Sequence, residues 1–413
     1  MRETVVITGL GAITPLGLDA PSTWKALTEG RSGVGPITLF DATAFKAQIA
    51  AEVKGYEPND HFEAKEARRL DRYTQFALVA AREAVKDAGL QVKSDNASRI
   101  GVIVGTGIGG IGTLIKEHDV MLQKGAGRVS PFFVPMMLAD TAPGLIAIEY
   151  GAKGPNMIVT SACASSANAI GEALAMIRRG AADVIIVGGS EAGILPLAVA
   201  GFTVMQALST RNEDPEHASR PFDAERDGFV PAEGAAFLVI ESLTHARARG
   251  ARIYAELAGY GATADAFHIT APMPDGEGAA QAMRFALEDA GLQPPDVDYL
   301  NAHGTSTPLN DPMETRAIKA VFGEHAYRLP VSSSKSMIGH LLGAAGALEA
   351  LVCAKTIETG IITPTTNYEH PDPECDLDYV PNTARQAEVH VALSNSFGFG
   401  GHNACLAFRS FQD

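Results

Sequence analysis

The segments REAVKDAGLQ (82–91) and RFALEDAGLQ (284–293) agree at seven of ten positions. Each reads as the end of an amphipathic helix closed by a C-terminal glycine. The stretches downstream of them correspond as well. IGVIVGT (100–106) and VDYLNAHGT (297–305) are strand-like runs ending in Gly-Thr. Next come two strand-turn-helix units, IVTSACASSANAIGEAL (158–174) and VSSSKSMIGHLLG (331–343), and then two strands running into glycines, VIIVGGS (184–190) and VALSNSFGFGG (391–401). The chain is therefore a duplicated α/β unit. Alternating strands and helices predict mostly parallel sheets covered by helices. The join is expected near 250, after HARARGAR (245–252), which gives halves 1–250 and 251–413. Residues 111–150 and 209–227 have no counterpart in the second half and are expected to supply lids, binding walls or subunit contacts.

The bulk properties fit a protein with ample core: 413 residues, 46% hydrophobic and 20% charged. A formal net charge of −15 argues against a nucleic-acid binder, because attraction to phosphates needs a basic surface. The tract 338–356 is interrupted by His340, Glu349 and Lys355, too polar to span a bilayer. The N-terminal run TVVIT (4–8) reads as a strand with no leader before it. Cysteines 163, 353, 375 and 405 lack zinc or disulfide spacing and fit four reduced thiols, so a cytoplasmic location is expected. One basic cluster stands out. Lys65, Arg68, Arg69 and Arg72 have helical i, i+3, i+4, i+7 spacing, which suits either a solvated face paired with Glu63, Glu66 and Asp71 or a docking patch for an acidic partner.

GTGIGG (105–110) satisfies a dinucleotide-binding pattern literally. That fingerprint also needs a helix on the glycines and a second strand ending in an acid about 20 residues on. The chain has KGAGRVSPFF (124–133) there, so the glycines are better read as letting the backbone pass close to a neighbour.

TSACASS (160–166) raises a sharper question. Cysteine is among the most buried residue types, so Cys163 alone could be a core residue. A small, polar elbow between an apolar strand and a helix is an awkward place for packing, and a helix start stabilises a thiolate. The matching strand ends of the second half carry His303 and His340. If the halves pack about a pseudo-twofold axis, Cys163, His303, His340 and Phe399 converge.

TSACASS, NAHGTSTPLND (301–311), SSSKSMIGHLLGAAG (332–346) and SNSFGFGGHN (394–403) resemble, in order and spacing, the motifs of the β-ketoacyl-acyl-carrier-protein synthases of the thiolase superfamily. The similarity runs from GLGAITPLG (9–17) to GFGGHN (398–403) and is greatest to the elongating type, synthase II, of type II fatty acid synthesis. The resemblance implies a thiolase-like fold with a five-layered αβαβα core. It implies that Cys163 accepts an acyl chain from acyl carrier protein, while His303 and His340 donate from Nε2 to a malonyl thioester that loses CO2. A polyketide-type ketosynthase, another thiolase-fold acyltransferase and a noncatalytic acyl-binding subunit are the alternatives; the intact Cys163, His303 and His340 argue against the last.

The same resemblance implies further roles. The N–H groups of Cys163 and Phe399 would form an oxyanion hole, with Phe399 also a gate. Lys335 and Glu314 would form a supporting ion pair. Thr305, Thr307 and Thr270 would hold the pantetheine arm, and Ile108, Phe133 and Phe202 would line an acyl tunnel, Phe133 from across a homodimer interface. Lys65, Arg68 and Arg69 would dock the acidic carrier protein, although Gln206 replaces an arginine common in relatives. No cofactor is required. A structural monovalent or divalent cation could sit at Asn301, Ser306, Glu349, Ser394 and Asn395.

Overall fold

The computed structural model describes residues 3–412. Ten strands form its main sheet: β1 (Val5–Ile13), β2 (Ile100–Gly105), β3 (Asn156–Val159), β4 (Val184–Glu191) and β5 (Gly234–Ser242), then β6 (Ala255–Ala264), β7 (Tyr299–Asn301), β8 (Val331–Ser332), β9 (Val391–Gly398) and β10 (His402–Arg409). Their order is β8-β7-β9-β10-β6-β1-β5-β4-β2-β3. Each strand of the first five thus has its counterpart five further on, in the same position of a mirrored order. Where the two blocks meet, Val6 lies opposite Glu256 and Ile7 opposite Ala255.

Four helices complete the duplication: α1 (Arg72–Ala88), α2 (Ser165–Arg178), α3 (Glu277–Ala290) and α4 (Ala345–Thr359). The repeated segments 82–91 and 284–293 lie at the ends of α1 and α3, whose C-caps Gly89 and Gly291 adopt φ of 59° and 67°, the left-handed region that favours glycine. α1 covers β1, β5 and β4 from outside, and α3 covers β6 and β10. α2 and α4 pack on each other between the blocks, α2 reaching β4 and β10, and α4 reaching β9 and β5. Helix, sheet, paired helices, sheet and helix make five layers, as the resemblance implied.

The outer contacts are close for a stated reason. A Cβ at Gly9 or Gly11 would lie 2.3 Å and 2.1 Å from the carbonyl oxygens of Ala84 and Ala80, and one at Gly259 or Gly261 would lie 2.3 Å and 2.1 Å from those of Ala286 and Ala282. Only glycine lets α1 and α3 settle this near the sheet.

Two expectations are corrected. The sheet is not mostly parallel: in each block the pairings of the middle and far strands are parallel (β4/β2/β3, β9/β7/β8), but β5 and β10 run antiparallel to both neighbours. The β9–β10 link is a short turn, which forces antiparallel pairing. The basic stretch is also not one helix. A single turn, Ala64–Ala67, stops at Arg68, and Asp71 caps a new helix by accepting from Tyr73 N. Arg72 therefore turns inward, forming a two-pronged pair with Glu233 at 2.7 and 2.8 Å.

Of the unmatched segments, 111–150 forms three α-helices, Ile111–Lys124, Phe133–Met137 and Thr141–Tyr150. The first comes directly after GTGIGG, so that part of the dinucleotide pattern is present after all. No strand ending in an acid comes after it at the required distance, and a Cβ at Gly105 would strike Ser166 N at 2.4 Å. No helix among the described residues is long and apolar enough to cross a membrane.

Candidate active site

Cys163 sits on the elbow between β3 and α2. Ala162 before it has φ of +51°, strained for a residue with a side chain. The serines of TSACASS hold that shape. Ser165 Oγ accepts from Ser161 N at 2.9 Å and donates to Ala162 O at 2.6 Å, and Asn168 Nδ2 donates to Ser161 Oγ at 2.6 Å. Ser166 Oγ accepts from Ala347 N at 2.9 Å, which ties the elbow to α4 of the other half.

The turn after β9 lies against this elbow. A Cβ at Gly398 would be 2.6 Å from Ser161 O and 3.1 Å from Cys163 N. Phe399, next in line, brings its backbone N–H near the Cys163 thiol, where it favours the thiolate form. The thiol is half-buried at the wall of a cavity of about 360 Å³. Burial is the dominant influence on it and pushes it up to about 12, while Lys335 and the Phe399 N–H pull the other way. The helix start lies one step further on than expected, since Ala164 is the N-cap and Cys163 precedes it, and burial is the largest influence on the thiol.

The same cavity is lined by His303, His340, Thr305, Thr307, Thr270, Ile108, Phe202, Gln206 and Phe399. The duplicated strand ends thus bring together the cysteine and both histidines. Phe133, on the 133–137 helix, does not line it.

The two imidazoles pack edge to face, with centroids 5.4 Å apart, and are 3% and 2% exposed. Burial, reinforced by the charge of Lys335, holds both well below the ordinary histidine range, so both are neutral at pH 7. Leu342 N donates to His340 Nδ1 at 3.2 Å, which puts the proton of the neutral ring on Nε2. His303 is fixed through its backbone: its N–H donates to Glu314 at 2.8 Å and its carbonyl accepts from Lys335 Nζ at 2.6 Å.

Lys335 and Glu314 do not pair with each other. Lys335 forms its ion pair with Glu349, both 2% exposed. Glu314 is occupied by the N–H groups of His303 and Gly304, each at 2.8 Å, and by Asn395 Nδ2 at 3.1 Å. Burial raises Glu314 to about 7 against the pull of those donors.

Of the oxygen-rich set, Asn301 Oδ1, Ser394 Oγ and Asn395 Oδ1 are buried without a hydrogen-bond partner among the described residues. Asn301 and Ser394 are cross-strand neighbours on β7 and β9. Ser306 is engaged elsewhere, its hydroxyl accepting from Arg220 N at 2.9 Å. No group of three or more His, Cys, Asp or Glu side chains among the described residues is placed to hold a metal.

Residues 209–227 do not line the cavity but brace the loop that does. Arg226 Nε donates to Thr307 O at 3.1 Å and Gly228 N to Ser306 O at 3.0 Å, fixing the threonine loop. Lys65, Arg68 and Arg69 are exposed and form no ion pair among the described residues, so Glu63, Glu66 and Asp71 do not neutralise them. Arg69 instead lies 4.1 Å over the Phe132 ring.

Sequence reasoning missed Glu191. This buried acid closes β4, and its signal was an acid ending an otherwise apolar strand, VIIVGGSE (184–191). It also missed Phe229 and Phe397, which pack edge-on against His340 and His303.

Residues 2–246 match the family described as beta-ketoacyl synthase, N-terminal domain, and residues 254–369 its C-terminal domain. The chain belongs to the β-ketoacyl synthase family. It is 54% identical over 411 residues to the 3-oxoacyl-[acyl-carrier-protein] synthase 2 of Synechocystis sp., covering 100% of this chain and 99% of that protein. The protein of the same name from Staphylococcus aureus (strain COL) is equally similar, at 54% and the same coverage. Among solved structures, a β-ketoacyl synthase from Burkholderia phymatum superposes with a TM-score of 0.92 at 37% identity, each chain fully covered. The AntDE:AntF type II polyketide ketosynthase, solved with its acyl carrier protein, gives 0.90 at 36%, again over both full chains. This β-ketoacyl synthase is an acyltransferase of the condensing class.

Proposed function

We propose that this synthase elongates fatty acyl chains by decarboxylative condensation with malonyl carrier protein. The observation that carries the reading is one cavity holding two kinds of donor: the Phe399 N–H at the Cys163 thiol, and two neutral imidazoles, one with its proton assigned to Nε2 by Leu342. The 54% identity to synthase 2 proteins, against 36–37% to the polyketide and other ketosynthases above, supports fatty acid elongation over a polyketide role.

In the first step the Cys163 sulfur attacks the acyl thioester of one carrier protein. The S–C bond forms, the pantetheine thiolate leaves, and the thiol proton ends on it. Cys163 N–H and Phe399 N–H are placed for the tetrahedral oxyanion. In the second, malonyl carrier protein enters under Thr305, Thr307 and Thr270. His303 and His340 donate from Nε2 to its thioester oxygen as CO2 departs and negative charge builds there; donors fixed in advance act most strongly in that transition state. The enolate carbon attacks the acyl-Cys163 carbonyl, the new C–C bond forms, and the expelled thiolate takes up one proton. Neutral histidines suit this role, since they donate without trading a proton.

Acyl carrier protein is the proposed partner, steered by Lys65, Arg68 and Arg69 despite Gln206, and the enzyme is proposed to act in the cytoplasm as a homodimer. Large apolar side chains on the 111–157 and 196–205 segments support the dimer: Ile148 is 77% and Val204 80% exposed, and the helix carrying Ile148 packs beside the edge strand β3. A second copy there would bring Phe133 toward its partner's tunnel; a monomeric mass by light scattering would exclude it. The unpartnered oxygens of Asn301, Ser394 and Asn395 fit a hard structural cation, with Ser306 outside the set and Glu349 already paired with Lys335. A Tm unmoved by mono- or divalent cations would argue against that.

The test of the mechanism is intact-mass analysis after incubation with myristoyl carrier protein, and then with malonyl carrier protein. Wild type should gain an acyl adduct and then release β-ketoacyl product and CO2. Cys163→Ala should gain none, and His303→Ala and His340→Ala should acylate but decarboxylate slowly. An adduct on Cys163→Ala, or acylated wild type that yields no CO2, would sink the reading.

A further inference from the structure

Glu191 ends β4 as a fully buried carboxylate with no ion-pair partner among the described residues. Four donors from two distant segments converge on it. Thr106 Oγ1 at 3.0 Å, Gly107 N at 2.7 Å and Ile108 N at 3.3 Å come from the loop after β2. Gly343 N at 3.0 Å comes from the second half. Two of these donors lie next to working parts of the site. Ile108 lines the cavity, and Gly343 comes directly after Leu342, whose N–H assigns the tautomer of His340.

Leu342 itself has φ of +49°, a left-handed conformation unfavourable for a residue with a Cβ. Such a conformation persists only where its surroundings over-determine it. The anchor on its C-terminal side is the Gly343–Glu191 hydrogen bond. The fit there is close: a Cβ on Gly343 would lie 2.2 Å from Gly107 N and 2.7 Å from Glu191 Oε2.

We propose that Glu191 is a positioning residue for the decarboxylation half of the reaction, clamping the Thr106–Ile108 loop to the Leu342–Gly343 turn so that the Leu342 N–H stays on His340 Nδ1. The inference rests on the roles of Cys163 and His340 given above. Neither oxyanion donor of the acyl-transfer step, Cys163 N–H or Phe399 N–H, is held by Glu191; its charge disfavours the Cys163 thiolate, so removing it does not slow acyl transfer and the two half-reactions should separate.

Glu191→Gln is the informative change, because an amide offers one acceptor oxygen and sets its NH2 against backbone N–H groups that need an acceptor. In the full-length enzyme, hexanoyl transfer to Cys163 would be tracked by intact mass and CO2 release from malonyl carrier protein measured separately. Glu191→Gln should lose roughly 10-fold or more in decarboxylation, less than the roughly 10²–10³ of a deleted oxyanion donor because the His340 donor is displaced and not removed. Hexanoyl transfer should stay within about threefold of wild type, and Glu191→Asp, which keeps the charge, should regain part of the loss. Equal losses in both half-reactions, or no loss in either, overturn the proposal. If the glutamine variant does not fold, the same ratio read on Glu191→Asp decides it. A wild-type enzyme that is not acylated on Cys163 would instead overturn the underlying mechanism, before any variant is compared.

Discussion

Replacing Gly398 by alanine tests the oxyanion hole without touching a reacting group. The added Cβ would sit 2.6 Å from Ser161 O, 3.1 Å from Cys163 N and 3.2 Å from Ala164 N. Ordinary contact begins at 3.4 Å, so about 0.8 Å of separation must be found. The elbow cannot supply it. Its backbone is held by the Ser165 hydroxyl on both sides of the strained Ala162 and by Ser166 against α4. The β9 turn must move instead, and Phe399 N–H moves with it, away from the thiol. Loss of one oxyanion donor costs about 10²–10³ in rate, or roughly 3–4 kcal/mol of transition-state stabilisation. The assay is the time course of acyl-Cys163 formation by intact mass, with CO2 release from malonyl carrier protein as the internal comparison. Acyl transfer should fall by that factor and decarboxylation far less, because the hydrogen bonds orienting His303 and His340 do not involve residue 398. Folding should survive, since Gly398 is the last residue of β9. Acyl transfer within about threefold of wild type would refute the claim that this turn carries a donor.

Three further outcomes are expected. Lys335→Met leaves the Glu349 carboxylate buried without its cation and should cost about 3–5 kcal/mol in urea unfolding, with much of the loss restored by adding Glu349→Gln; an unchanged midpoint would show that the pair is not formed. The Cys163 thiol, pushed up by burial, should react with iodoacetamide at a rate that climbs about tenfold per pH unit from pH ~7 to ~9; a plateau in that window would mean that the helix start outweighs desolvation. Lys65→Glu with Arg68→Glu should raise KM for acyl carrier protein several-fold at low salt, leave kcat nearly unchanged, and lose its effect at about 1 M salt; a salt-independent defect would place docking elsewhere.

How legible each part was depends on how local its cause is. The helix-terminal repeat could be read because α1 and α3 carry their own stop signals, Gly89 and Gly291, next to the matching residues. The companion repeat, Gly9-Leu-Gly11 against Gly259-Tyr-Gly261, was present in the sequence but too short to weigh until the two helices were seen to rest on those four positions. The broken basic helix had a local cause that could have been read: Asp71 is a capping residue type directly before Arg72, and a cap starts a helix rather than continuing one. The partner of Lys335 had only half a signal. A lone glutamate in the buried run of α4 must find a cation or a set of hydrogen-bond donors, and which it finds depends on how α4 lies against the Lys335 turn. The thiol of Cys163 was least legible. Its helix-start position is local, while the walls that desolvate it come, apart from Ala162, from distant parts of the chain between Gly107 and Asn403.

The site's division of labour comes from the same distinction. Cys163 and its Phe399 donor are fixed by contacts that end at Gly398 and the serines of the elbow. His303 and His340 are fixed by Glu314, Lys335 and Leu342, none of which touches that elbow through a hydrogen bond. Two transition states with oxyanions at different places need two sets of donors, and a single flexible set would have to reorganise between steps at a cost in rate. Separate anchoring avoids that reorganisation, and it makes a sharp demand: Gly398→Ala and Glu191→Gln must damage opposite halves of the reaction. Variants that damaged both halves alike would show one coupled cluster of donors instead, whatever the rate of the overall condensation.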